Sequence, residues 1–184
     1  MSVSVVSLLL ISGSLRAGST NAAVLRTAAA LAPDDVETVL LRGMAELPHF
    51  NPDDDIEGQP IAPAVAAMRR AVARADALLI CTPEYAGALP GALKNLLEWT
   101  IGDGGTYGKP VAWINVSGPA APSAGADAHD SLRKVLNYSG ADIVESACLR
   151  VPLTRQMVDA DGLVSDTAAR SEIGRALDEL ARAI

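Results

Sequence analysis

From end to end, short apolar runs alternate with segments of helical periodicity, and that rhythm limits the chain to strand–helix–strand units on a parallel sheet. Residues 3–10 form a nearly unbroken apolar run that ends on Ser12-Gly13-Ser14, as expected of a strand buried on both faces. Residues 20–32 follow as a helix, opened by Ser19, Thr20 or Asn21 as N-cap and stopped near Pro33. Residues 36–41 are a second strand, and 48–59 a polar, Pro- and Asp-rich surface loop. Ile61, Val65, Met68 and Val72 then recur at helical spacing, with Pro60 and Pro63 in the first turn. Residues 77–81 form the third strand, and Leu89, Leu93, Leu96 and Leu97 mark the next helix, with Pro90 near its start. Residues 111–116 are a fourth strand, and 126–138 a helix closed by Gly140. Two short extended pieces, 141–144 and 147–151, make an interrupted fifth strand region. Ile173, Leu177, Leu180 and Ile184 lay one apolar stripe along a last helix.

Five such units, with no repeat, low-complexity tract or linker, imply one α/β domain over residues 1–184. They suit a flavodoxin-like doubly wound parallel sheet of five strands in the order 2-1-3-4-5, with helices on both faces. Periodicity alone does not separate that order from other doubly wound arrangements. In all of them ligands bind outside the carboxyl ends of the strands, where the strand order reverses. The loops after strands one, three and four are therefore the places to look.

Composition excludes several functions. The formal net charge of −7 argues against a nucleic-acid surface, which wants a clustered basic face. Arg69, Arg70 and Arg74, the densest basic group, fall on the polar side of one helix and are expected to be a solvated face. Cys81 and Cys148 lack the neighbouring Cys or His of a metal or CxxC site, and Cys81 ends an apolar run as a small buried hydrophobe. The apolar run at the amino terminus has no preceding positive charge, and Arg16 and Arg26 separate it from the Ala30-Leu31-Ala32 that could pass for a cleavage site. It is also too short to span a bilayer, so the expected setting is cytoplasmic with no membrane partner. His49 and His129 are isolated and expected at surface or capping positions. Lys94 and Glu98 are spaced for a helical ion pair, and Asn95 for a satisfied buried polar group.

Two loops carry chemistry. After the first strand comes Gly13-Ser14-Leu15-Arg16-Ala17-Gly18-Ser19-Thr20-Asn21, which opens a helix. Hydroxyls, one guanidinium and the free N–H groups of a helix start are the parts of an anion site. The loop lacks the lysine of a Walker motif and is not GxGxxG. An ordinary strand–helix turn with a Ser/Thr cap is the plainer reading. After the third strand comes Thr82-Pro83-Glu84-Tyr85-Ala86-Gly87-Ala88-Leu89-Pro90-Gly91-Ala92-Leu93-Lys94-Asn95. Prolines and glycines around a tyrosine make a stiff loop against which a planar heterocycle could lie. A purely structural turn is the alternative.

Together the two loops resemble the NADPH-dependent FMN reductase family, which includes quinone, azo-dye and chromate reductases. The pattern G-S-x-R-x-x-S-x-N is met in full at Gly13 to Asn21, and P-E-Y…P-G-x-L-K-N at Pro83 to Tyr85 and Pro90 to Asn95, followed by Glu98-Trp99. The likeness extends to Leu47-Pro48, the Asn51-Pro52-Asp53 loop and Leu132-Arg133. The resemblance implies that Ser14, Arg16, Ser19, Thr20 and Asn21 surround an FMN phosphate. It places Pro83, Glu84, Tyr85, Ala86 and Gly87, with Ser117 and Gly118, beside the isoalloxazine ring. Two departures stand out: Ala86 replaces an asparagine found in many relatives, and the loop from Gly118 to Gly125 is richer in Ala and Pro than is usual there.

By the same resemblance the chain is an NAD(P)H-dependent FMN oxidoreductase that passes two electrons to a quinone, free flavin or similar small acceptor. No side chain is nominated as acid, base, nucleophile or metal ligand, because the cofactor supplies the chemistry. Relatives commonly form homodimers or homotetramers. The rival reading is a non-enzymatic FMN protein, an electron carrier or redox sensor, and a third is a protein that binds another phosphate ligand.

Overall fold

A computed structural model describes residues 5–118 and 122–184; Val3 and Ser4 of the expected first strand, and residues 119–121 of the third loop, lie outside them. The strands are β1 (Val6–Ser12), β2 (Val36–Leu40), β3 (Ala77–Thr82), β4 (Pro110–Ser117), β5 (Asp142–Ile143) and β6 (Leu149–Pro152). The helices are α1 (Thr20–Leu31), α2 (Pro63–Arg74), α3 (Gly91–Glu98), α4 (Ala126–Tyr138) and α5 (Thr167–Ala181). Every pairing is parallel, in the order β2-β1-β3-β4-β5, with β6 also on β4. The flavodoxin-like doubly wound order expected from the sequence is the one observed.

The interrupted fifth strand resolves into two. β5 pairs with Pro110 and Val111, the short helical turn Glu145–Ala147 intervenes, and β6 resumes on β4 from Ile114 to Ser117. The sheet therefore has six strands where five were expected. That break carries the chain to the carboxyl end of β4, next to the loops of interest.

Side-chain alternation on the central strands builds two cores. Leu8 and Leu10 of β1, Leu79 of β3 and Ile114 of β4 pack under Val24 of α1 and Leu177 of α5. Leu9, Ile11, Leu78, Ile80 and Trp113 pack on the other face under α2, α3 and α4. All six residues of β3 are buried, which is why this strand reads as a continuous hydrophobic run. Burying one such Leu or Ile side chain is worth roughly 1.5–3 kcal/mol, so these two layers dominate the stability. At Gly13, β1 leaves the sheet so close to β3 that a Cβ would overlap the Thr82 side chain and come 3.1 Å from Leu93 Cδ2. Glycine is required there by space alone, since its φ is unexceptional.

Several local expectations need correction. Pro63 begins α2, while Pro60 and Ile61 precede it in the loop. Arg69 is not a solvated charge: its Nη2 donates to Asp55 Oδ2 at 2.7 Å and its Nε to Trp99 O at 2.7 Å, pinning the 48–59 loop to α3. His129 faces the sheet rather than solvent, taking the Trp113 indole N–H at 2.9 Å. Asn95 is satisfied as expected, bonding Pro48 O through Nδ2 and the Phe50 N–H through Oδ1.

Candidate cofactor site

The first loop is built to leave donors unspent. Ser19 caps α1, its Oγ accepting from the Ala22 N–H at 3.1 Å. The N–H groups of Thr20 and Asn21, in the first turn, have no protein acceptor among the described residues. Asn21 is almost fully buried, and its Oδ1 receives the Cys81 thiol at 3.4 Å. That contact orients the amide and leaves its NH2 for the cavity. Ser14 Oγ accepts the Arg16 N–H at 3.3 Å, which curls the loop and keeps the hydroxyl hydrogen free. Burial pushes the Cys81 thiol far up, so Cys81 is an inert support rather than a redox group.

These residues line a cavity of about 400 Å³ at the carboxyl edge of the sheet. It brings together Ser14, Arg16, Ser19, Thr20 and Asn21 from the first loop, Pro83 and Tyr85 from the second and Gly118 from the third. Val116, Leu153 and Arg155 complete it. Arg16 and Arg155 have no carboxylate within 4.0 Å among the described residues, so two guanidiniums face the space uncompensated. Free helix-start N–H groups, hydroxyls and guanidinium forks fit a phosphate dianion. Leu153 and Arg155 were missed because the interrupted fifth strand region gave no clear carboxyl end to inspect. The Leu153 N–H donates to Ser117 O at 3.0 Å, extending the β6 pairing into the site.

Four expected residues lie outside this cavity. Glu84 turns away: its carboxylate accepts from Ser123 Oγ and from the Ala128 N–H at 3.2 Å. Since Gly125 offers no side chain to cap α4, Glu84 caps it from a distance. Ala86 and Gly87 form the tip of a two-residue turn closed by reciprocal N–H···O bonds of 3.0 and 3.1 Å between Tyr85 and Ala88. Their φ values of +51° and +72° make it a type I′ turn, which prefers asparagine or glycine at the position Ala86 holds. Ser117 opens instead on a neighbouring cavity with His129, Cys148 and Arg150. There burial, with Arg133 beside it, holds the His129 pKa below its ordinary value, and burial pushes the Cys148 thiol up to about 12. Asn115, beside this cluster on β4, keeps its Nδ2 buried without a partner among the described residues. Nothing in the one-dimensional spacing of His129, Trp113 and Asn115 signalled this cluster.

The family model for NADPH-dependent FMN reductase matches residues 6–156. The chain belongs to the NADPH-dependent FMN reductase family. It is 34% identical to an NAD(P)H-dependent FMN reductase of Pseudomonas aeruginosa, an alignment covering 92% of this chain and 90% of that one. It is 32% identical to a 2-hydroxy-1,4-benzoquinone reductase of a Burkholderia species, over 92% and 91% of the two chains. Among solved structures it is similar to the flavoenzyme NAD(P)H:(acceptor) oxidoreductase FerB of Paracoccus denitrificans. That match has a TM-score of 0.81 and 26% identity, and covers 97% of this chain and 98% of the other. As a member of this family the chain is an oxidoreductase that uses FMN and NAD(P)H. Its match to the family model spans both loops and stops just beyond Arg155.

Proposed function

We propose that this protein is an NAD(P)H-dependent FMN oxidoreductase whose acceptors are quinones, free flavins or similar small molecules. The observation that carries the proposal is convergence. Unspent N–H groups of Thr20 and Asn21, the Ser14 and Ser19 hydroxyls and Arg16 meet the Pro83–Tyr85 segment in one cavity at the strand ends. Ser14, Arg16, Ser19, Thr20 and Asn21 would hold the phosphate. Pro83, Tyr85 and Gly118 would flank the ring, with Glu84, Ala86, Gly87 and Ser117 shaping the walls from behind. Held by these residues, FMN would supply the hydride-accepting and two-electron-donating chemistry of the reaction. The chain's own task is to fix the ring, supply backbone hydrogen bonds to its polar edge and leave one face open.

Residues 1–184 would form one FMN-binding domain. No described helix is long and apolar enough to cross a membrane, which suits a cytoplasmic setting. Homodimers or homotetramers are part of the same proposal. An apolar shelf between α3 and α4, formed by Leu97, Ile101, Val135 and Tyr138, supports it, since shelves of this kind mark contact surfaces.

The test is a visible spectrum of FMN-reconstituted protein before and after anaerobic addition of NADPH. Rapid bleaching of the flavin band is expected. A stable oxidised band would instead make the protein a carrier or sensor that depends on a separate reductase.

A further inference from the structure

The polar cluster between α4 and β4 has a task that the cofactor chemistry leaves unassigned. We propose that His129 is a positioning residue: as a neutral imidazole it clamps α4 to β4 and so fixes the connection that carries Gly118 into the cofactor cavity. The inference rests on the function proposed above and deepens it.

The clamp sits where β4 ends. Trp113, Asn115 and Ser117 share one face of β4 by strand alternation, the face on which Leu132 and Leu136 of α4 pack. The Trp113 indole N–H donates to His129 Nδ1 at 2.9 Å, and Asn115 Oδ1 stands 3.1 Å from the same nitrogen. One turn back, the His129 N–H donates to Gly125 O at 3.0 Å. A Cβ at Gly125 would lie 3.3 Å from Asn115 Cβ and 3.7 Å from Ser117 Cβ, so the start of α4 rests directly on the strand. The connection leaves β4 at Ser117, whose carbonyl accepts the Leu153 N–H, and the next residue, Gly118, lines the cofactor cavity. Both ends of the connection are therefore held against the last residues of β4, and His129 supplies the side-chain bond that holds the α4 end.

The bond to Trp113 needs the neutral ring. An indole N–H can only donate, so Nδ1 must keep its lone pair, and the single proton of the ring lies on Nε2. Protonation adds a hydrogen at Nδ1. That hydrogen can turn to Asn115 Oδ1, but the Trp113 N–H, on a residue with no exposed surface, loses its acceptor. The charged groups that face the ring are Arg133 and Asp130 on α4, Glu145 on the turn after β5 and Arg150 on β6. Arg133 Nη2 is 3.1 Å from Nε2, and both carboxylates are already spent on Arg133, Asp130 at 3.2 Å and Glu145 at 2.8 Å. The Cys148 thiol in the adjoining cavity is uncharged. Among the described residues no free carboxylate is at hand to stabilise an imidazolium.

Quenching of flavin fluorescence by the apoprotein, from about pH 7.5 to about pH 5.5, tests this in the wild type, His129→Gln and Arg133→Gln. The flavin phosphate titrates in the same range but alike in every variant, so the ratio of wild-type to His129→Gln dissociation constants isolates the imidazole. His129→Gln keeps an oxygen for the indole N–H and has no titrating group. It should match the wild type at the upper pH and bind FMN about threefold to tenfold more tightly than the wild type at the lower, the worth of one hydrogen bond. Arg133→Gln removes a cation from beside the ring, so its affinity should begin to fall at a higher pH than that of the wild type. A ratio that stays at one across the range would overturn the assignment. So would a decline that appears only where far-ultraviolet dichroism is lost, which would make the clamp a matter of stability alone. The wild type has two histidines, and its imidazole nitrogen shifts report the tautomer without any variant. A proton on His129 Nδ1 at neutral pH would overturn the assignment as well. Failure of the wild type to bind FMN at the upper pH would count against the parent function instead, and is read in the same titrations.

Discussion

Ala86 sits at φ +51° at the tip of its turn, a conformation that costs an L-residue with a Cβ roughly 1–2 kcal/mol. Asparagine tolerates it far better, which gives the asparagine of many relatives a backbone reason. Ala86→Asn should therefore raise the unfolding free energy by roughly 0.5–1 kcal/mol in a denaturant titration. A loss of stability would show that the turn is not type I′ in solution. His129 sets a different prediction. Burial and the Arg133 nitrogen 3.1 Å from its ring disfavour the protonated form, so its folded pKa lies below the ordinary 6.5. As pH falls through 6.5 the unfolded chain takes up the proton first, and stability drops until the folded pKa is passed. His129→Gln should flatten that part of a stability–pH profile.

At the scale of elements, the loop after β3 acts as a brace as well as a wall. Glu84 satisfies the start of α4, so Glu84→Ala should cost about 1 kcal/mol and lower the melting temperature. The preference of the protein for FMN over riboflavin should stay the same, because the carboxylate faces away from the phosphate. The elements themselves were largely legible. Strands buried on both faces, such as β3, betray themselves as unbroken apolar runs, and helices with one apolar stripe by their spacing. The first-loop residues that line the cavity were equally plain, because Ser14, Arg16, Ser19, Thr20 and Asn21 fall within one eight-residue segment of the chain. What stayed hidden depends on juxtaposition. Arg155 reaches the cavity only because the break at Glu145–Ala147 returns the chain to β4, and Glu84 points away only because Gly125 leaves α4 uncapped. Neither fact has a local signature.

For the whole molecule, the apolar shelf between α3 and α4 carries a half-exposed Ile101 and a Tyr138 that is 92% exposed. Sedimentation should give a dimer or a larger assembly, and Ile101→Asp should shift it toward the monomer by placing a charge in the contact. A wild-type monomer at all concentrations would remove the shelf as an interface. The fold fixes the loops relative to one another through β1, β3 and β4, the three strands whose carboxyl ends meet at the site. The most direct measurement is the affinity of the apoprotein for FMN and for riboflavin, by quenching of flavin fluorescence, in the wild type and in Arg16→Ala. Gripping the phosphate with the β1–α1 loop predicts that FMN binds at least tenfold more tightly than riboflavin, and that Arg16→Ala removes most of that difference while leaving riboflavin binding alone. Equal binding of the two flavins by the wild type would contradict it.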